Sequence, residues 1–155
     1  TGEEFPADDL GARHLVSKLL RDRQDITALV LMDMIGVRRQ SDPIFQINTG
    51  EHPDALLAAA IALDANRQLS TGLKAEVRQR FNRLSFLYNT DGLVFSDMGF
   101  PVVFFNEHVN RTNNMTLSHY HHMADVSGVL DFEYATRITS VVIETVARLA
   151  QVRHK

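Results

Sequence analysis

Acidic and imidazole side chains occur at three points of the sequence where predicted secondary structure begins or ends. Glu3 and Glu4 precede the first predicted helix. Asp33 follows the most apolar run of the chain, and His121 lies in a polar loop after a later apolar run. Open α/β sheets bind ligands in the crevice beyond the carboxyl ends of their strands. Carboxylates and an imidazole brought together there would be a donor set suited to zinc.

Each of these residues also has an explanation that involves no metal site. A Glu-Glu pair is usually a solvated loop end, and the sequence His-Tyr-His-His at 119–122 could be an exposed polar loop or an incidental metal-binding cluster. Asp33 could instead be a helix N-cap, or it could form an ion pair with Arg38 or Arg39. It is the hardest of these residues to dismiss, because an ionised carboxylate at the mouth of a buried strand needs a partner.

Helices and strands alternate along the chain and would have to position these residues. Hydrophobic periodicity predicts helices over 10–23, 52–66 and 132–152, and strands over 26–34, 43–48 and 101–105. The apolar strand over 26–34 is expected to be buried on both faces. A short helix or loop is expected over 91–99, whereas 68–83 is polar and receives no assignment. This order predicts an α/β sandwich around a mostly parallel sheet.

The two longest helical patterns also predict which side chains face the core. On the first helix, the helical spacing groups Leu15, Val16, Leu19 and Leu20. On the last helix, the same spacing groups Ala135, Ile138, Val142, Thr145, Val146 and Leu149.

Composition limits the classes of function that fit this chain. A length of 155 residues with 45% hydrophobic content is enough for one domain with a core. The formal net charge is -3, with both signs interspersed, so nucleic acid and anionic membrane surfaces are not expected partners. The run from Ala28 to Met32 is too short to span a bilayer. There is no cysteine, so any metal must be held by His, Asp and Glu.

Several short motifs carry a resemblance to a known family. They are, in order, Gly2-Glu3-Glu4, Gly11-Ala12-Arg13, Asp33-Met34-Ile35-Gly36, Asp91-Gly92-Leu93-Val94-Phe95, Gly99-Phe100-Pro101, Tyr120-His121 and Asp125. This series resembles metallopeptidase family twenty-eight, the two-zinc aminopeptidases and glutamate-carboxypeptidase-like enzymes of clan MH. The resemblance runs from Glu3 to the end of the last helix. It implies a three-layer α/β sandwich around a mostly parallel mixed sheet, of the zinc-exopeptidase kind.

The resemblance implies a role for each matching residue. Glu3 is similar to the general base that takes a proton from the metal-bound water. Glu4 and His121 resemble the ligands of one zinc ion, and Asp33 resembles a ligand of the second. Tyr120 is similar to a tyrosine that stabilises the oxyanion in some relatives. The implied cofactors are two zinc ions, and the implied substrate is a peptide.

Two further acidic residues and several departures belong to the same comparison. Asp125 would orient the His121 ring or would serve as a turn or helix cap, and Asp91 would line the pocket without touching metal. The family's Thr-Pro after the ligand histidine is replaced here by His122-Met123, and Val126 stands where threonine is frequent. His119 and His122 are therefore competing candidates for the role of His121.

The family's His-x-Asp motif and its metal-bridging aspartate would precede Glu3 and do not occur here. We therefore expect 1–155 to be the C-terminal portion of one zinc peptidase catalytic domain, a partial domain with an incomplete ligand set that is inactive alone. One sheet flank should then be an open apolar edge, to be covered by a companion N-terminal segment or by self-association. Family resemblance favours a secreted or periplasmic protein over a cytoplasmic one.

These observations predict a zinc-dependent exopeptidase, and within that class an aminopeptidase. Two alternatives stay open at this point. One is a peptidase-like domain that binds or scaffolds without hydrolysis. The other is a related zinc carboxypeptidase or amidohydrolase, which would keep the metal chemistry and change the substrate.

Overall fold

The computed structural model describes residues 9–38, 43–109 and 122–151. The helices of this part are α1 (Leu10–Arg21), α2 (Pro53–Gln68), α3 (Gly92–Asp97) and α4 (Phe132–Gln151). The strands are β1 (Leu29–Met32), β2 (Ile44–Thr49), β3 (Lys74–Gln79) and β4 (Val102–Glu107). Short 3₁₀ helices lie at Leu87–Asn89 and Ser127–Val129.

The strands form one sheet in the order β1-β4-β2-β3. β1 is parallel to β4 and β2 is parallel to β3, whereas β2 and β4 are antiparallel. The mostly parallel mixed sheet is thereby confirmed. Because Met32 pairs with Phe105 and Phe45 pairs with Glu107, the carboxyl ends of β1 and β4 lie at the same sheet end as the amino end of β2.

Helices cover both faces of the sheet, so the predicted three-layer sandwich is also confirmed. Alternation along β4 sends Val103 and Phe105 to one face and Val102 and Phe104 to the other. The first face packs against α2 and α4, and the second face belongs to the core formed with α1 and α3. β4 therefore contributes to both cores, which explains its continuous apolar sequence.

The helices begin at residues whose chemistry suits a helix start. Before α2, the His52 ring accepts a hydrogen bond from the backbone N–H of Asp54, and Pro53 occupies the first turn. Before α4, the Asp131 carboxylate accepts from the N–H of Tyr134 at 3.0 Å. Both helices were predicted, and α2 runs two residues beyond the expected end at 66.

Three expectations about burial were wrong. β1 spans only Leu29–Met32 and is half-buried, with Met32 43% exposed, because it lies at the edge of the described sheet. On α1 the core side consists of Ala12, Val16 and Leu19, whereas Leu15 and Leu20 are exposed. On α4 Val146 is exposed, and Tyr134 and Val141 are buried in addition to the expected face.

The unassigned polar segment contains an additional strand, β3. Its position at the other sheet edge explains the polar sequence, since Arg78 is its one buried residue. Among the described helices, none has the length and apolarity needed to cross a bilayer.

Candidate metal centre at the carboxyl ends of β1 and β4

The structure places Asp33 directly beyond β1, beside the end of β4. Its backbone N–H donates to the carbonyl of Phe105 at 3.2 Å. The next carbonyl, that of Met34, accepts from the N–H of Glu107 at 2.8 Å. Two parallel strands therefore deliver Asp33 and Glu107 to the same end of the sheet, where open α/β sheets bind their ligands.

The Asp33 carboxylate is exposed at this position and fits a metal ligand. Its Oδ1 accepts a hydrogen bond from the N–H of Met34 at 2.7 Å. Within the described residues this hydrogen bond engages Oδ1 and leaves Oδ2 able to bind a cation. A carboxylate oxygen is an ordinary zinc ligand.

The ion-pair alternative for Asp33 is wrong for Arg38, whose guanidinium lies 3.1 Å from Asp131. Arg39, the other candidate partner, lies outside the described residues. The helix-cap alternative is wrong too, because β1 and a turn flank Asp33 and no helix begins there.

Glu3, Glu4, Tyr120 and His121 lie outside the described residues, as does His119. Their convergence on Asp33 therefore stays a prediction. In the ranges 9–38, 43–109 and 122–151, no group of three or more His, Asp and Glu residues could hold a metal ion. The predicted site thus depends on the segments at 1–8 and 110–121, which flank α1 and β4 in the sequence.

The structure also describes His122, Asp125 and Asp91, which the sequence analysis considered for secondary roles at the site. His122 and Asp125 are exposed in a turn in which the N–H of Asp125 donates to the His122 carbonyl at 2.9 Å. Asp91 is exposed at the start of α3, where its side chain forms no capping hydrogen bond. A Cβ on Gly92 would meet Leu31 at 2.7 Å, so glycine lets α3 approach β1 near Asp33. The pocket role of Asp91 stays a prediction.

Sequence reasoning missed two polar groups at this sheet end. One is Glu107, the last residue of β4, which is 2% exposed and accepts from the N–H of Val37 at 2.6 Å. The rule that selected Asp33, an acidic residue at the end of an apolar strand, would also have found Glu107. The second group is built on the buried Arg78 of β3, and its position depends on a strand that was not predicted.

Arg78 joins β3 to the end of β4. Its Nη2 lies 3.0 Å from Glu76 Oε2 and 3.1 Å from His108 Nε2. The same His108 Nε2 also lies 3.4 Å from Glu76 Oε2, so Arg78, Glu76 and His108 form one polar cluster. Partial burial raises the pKa of the Glu76 carboxyl, but the Arg78 hydrogen bond and the positive charges nearby bring it below its ordinary value.

The same arginine also fixes the start of the segment that leads to His121. Arg78 Nη1 donates to the Val109 carbonyl at 3.3 Å, and Gln46 Nε2 donates to that carbonyl at 2.5 Å. A second Nη1 hydrogen bond reaches the carbonyl of Leu84 at 2.6 Å. Val109, the last described residue before 110–121, is therefore held by two buried side chains.

The sequence and the three-layer α/β sandwich are both similar to those of known peptidases. Residues 1–146 match the family model described as Peptidase family M28. Since the match covers most of the chain, the protein belongs to this family, and the predicted family resemblance is confirmed.

Solved structures agree with the fold. The crystal structure of the Legionella pneumophila LapA aminopeptidase superimposes with a TM-score of 0.70 at 19% identity, covering 93% of this chain and 36% of that one. A second crystal structure of LapA gives a TM-score of 0.69 at 19% identity, covering 92% and 37%. The chain thus spans little more than a third of the length of these neighbours. Comparison with curated proteins finds no match.

Proposed function

We propose that this chain supplies the general base and part of the metal ligand set of a zinc-dependent aminopeptidase. The observation that carries the proposal is the exposed Asp33 carboxylate at the shared carboxyl end of β1 and β4. Membership of Peptidase family M28 supports hydrolysis of peptide bonds. The order of the sequence motifs supports the zinc ligands.

In this proposal Glu4 and His121 bind one zinc ion and Asp33 binds the second. Two zinc ions would lower the pKa of a bound water and polarise the scissile carbonyl. Glu3 takes the proton from the attacking water and transfers it to the leaving amine. Tyr120 donates a hydrogen bond to the carbonyl oxygen as negative charge develops on it.

Two substitutions separate the proposed base from the proposed ligand. Release of N-terminal leucine from a peptide should fall by about 10²- to 10⁴-fold in Glu3→Gln, because general-base catalysis is lost, while the zinc content stays unchanged. Asp33→Asn should reduce the zinc content as well. Unchanged turnover in Glu3→Gln would eliminate Glu3 as the base. A wild-type protein without zinc would favour the scaffold function.

We further propose that a companion segment of the same catalytic domain adds a strand to the free side of β1. In the described part of the chain β1 pairs with β4 alone. An apolar groove beside β1 is lined by side chains of β1, its approach and α4, namely Ile26, Ala28, Val30, Val146 and Leu149. The chain corresponds to about 36% of the LapA aminopeptidase length, which supports a companion segment as the occupant. A 155-residue chain that is a monodisperse monomer at micromolar concentration, with the edge amides of β1 protected from hydrogen exchange, would contradict this proposal.

A further inference from the structure

In the described part of the chain, Glu107 of β4 forms two hydrogen bonds with the turn that follows Asp33. The Glu107 N–H donates to the Met34 carbonyl at 2.8 Å, and its Oε2 accepts from the Val37 N–H at 2.6 Å. Glu107 thus bonds to both sides of the 34–37 turn, through its backbone on one side and its carboxylate on the other. Just before this turn, the N–H of Asp33 donates a hydrogen bond to the carbonyl of Phe105, also in β4.

The backbone of this turn is in a sparsely populated conformation. Met34 has φ 48°, in the left-handed region that residues with a side chain rarely adopt. Such a conformation persists only where surrounding contacts hold it, and it is concentrated at functional sites. This conformation occurs directly after Asp33, and the N–H of the same Met34 donates to Asp33 Oδ1 at 2.7 Å. The direction of the Asp33 carboxylate therefore depends on the geometry of Met34.

Glu107 is also unusual in its burial. Only 2% of the residue is exposed, although glutamate is almost never fully buried without compensating bonds. A buried carboxylate loses much hydration free energy, so its hydrogen bonds are strong and directional. An ordinary strand end would not need a buried carboxylate at this place, because β4 and β1 already exchange backbone hydrogen bonds.

We propose that Glu107 is a positioning residue for Asp33, and that its carboxylate holds the 34–37 turn so that Asp33 is preorganised to bind a metal ion. The inference rests on the proposed function of Asp33 as a zinc ligand. Glu107 itself acts through the Val37 N–H and the Met34 carbonyl. Residues that orient a metal ligand from outside the coordination shell commonly change metal affinity by about 10- to 100-fold when they are lost.

The test is zinc affinity, measured by competition with a chelator in the complete metal-stripped protein, for four variants. Glu107→Asp keeps the charge but shortens the side chain, so it should break the Val37 bond and weaken zinc binding by about 10-fold or more. Glu107→Gln keeps the length and an acceptor oxygen, so it should bind zinc within a few-fold of the wild type. Hydrogen exchange of the Val37 amide should become faster in Glu107→Asp and change less in Glu107→Gln.

The other two variants separate the possible failures. Asp33→Asn must weaken zinc binding, and if it does not, the proposed function itself is wrong. Asp64→Asn removes an acceptor of Arg148 between α2 and α4, and it should lower stability without changing zinc affinity. If Asp33→Asn weakens binding but Glu107→Asp does not, Glu107 has no positioning role. A larger zinc loss in Glu107→Gln than in Glu107→Asp would assign the effect to the negative charge, and a loss in Asp64→Asn equal to that in Glu107→Asp would assign it to general stability; either result overturns the inference.

Discussion

The two edge strands of the described sheet are built from opposite kinds of residue. β1 reads Leu-Val-Leu-Met, whereas β3 reads Lys-Ala-Glu-Val-Arg-Gln. Charged side chains on β3 discourage pairing with another strand, as is usual for the last strand of a sheet. β1 has the apolar composition of an interior strand and leads directly into Asp33. Within the described sheet, β3 is therefore the edge less suited to further pairing, and β1 is the edge at which we propose that a companion segment adds a strand.

The largest expected effect is on catalysis at the end of β1. Asp33→Asn should lower kcat/KM for leucine release by about 10³-fold, equivalent to about 4 kcal/mol, because a metal ligand is lost. The matched control lies near the end of β3, where Asp97 pairs with Arg80. Asp97→Asn should change kcat/KM by less than about twofold, since the two strand ends lie at opposite ends of the sheet. Similar losses in both variants would remove the functional distinction between the two edges.

The next effect concerns stability, and it falls on β3. Arg78 is 5% exposed. It donates hydrogen bonds to the carbonyls of Leu84 and Val109 and to the Glu76 carboxylate, and its Nη2 lies 3.1 Å from His108 Nε2. Arg78→Met should reduce the free energy of unfolding by about 3 kcal/mol, because buried acceptors lose their donor. Lys74→Met, at the exposed first residue of the same strand, should change it by less than about 0.5 kcal/mol. Urea unfolding measures both variants, and equal effects would show that Arg78 does not hold this edge.

A smaller effect is expected on self-association of the 155-residue chain. Met32 on β1 and Val77 on β3 are similarly exposed, at 43% and 38%. Met32→Lys should weaken self-association by about tenfold, because a charge at an apolar edge opposes strand pairing. Val77→Lys should have little effect on an edge that already carries charges. Sedimentation velocity across a concentration series distinguishes them, and an equal response would mean that β1 is not the associating edge.

The smallest effect is the pH dependence of the β3 ion pairs. The pKa of Glu76 is lowered in the folded state, so its ionised form stabilises the fold above the unfolded pKa. That contribution is lost as the pH falls from about 4.5 through the folded pKa. Glu76→Gln should therefore flatten the slope of unfolding free energy against pH in this acidic range, by a few tenths of a kcal/mol at its partly exposed site. A slope identical to that of the wild type would show that the pair contributes nothing.

The fold class could be predicted because hydrophobic patterns are local. Short apolar runs predict strands at 26–34 and 101–105, and an alanine-rich pattern predicts the helix after Pro53. The alternation of strands and helices then predicts the layers of the fold. The motif order also identified the family. The position of Asp33 at a strand end could be predicted because the end of an apolar run is visible in the sequence, and its role as a metal ligand stays a prediction.

Local patterns could not predict which helices and strands pack against one another. The sequence of β3 is polar because the strand lies at an edge, and the exposed Leu15 and Leu20 of α1 depend on which helix side meets the sheet. Glu107 follows an apolar strand just as Asp33 does, yet its burial against the Val37 N–H depends on a residue 70 positions away in the sequence.

Local sequence patterns were enough to predict the main helices, the strands other than β3, the family and the residue types available for chemistry. The tertiary structure alone decided that β1 and β4 end side by side, that Glu107 is buried while Asp33 is exposed, and that Arg78 holds the carbonyl before 110–121. The physical reason is that periodicity and propensity act over a few residues, whereas burial, ion pairing and ligand geometry arise from contacts between distant segments.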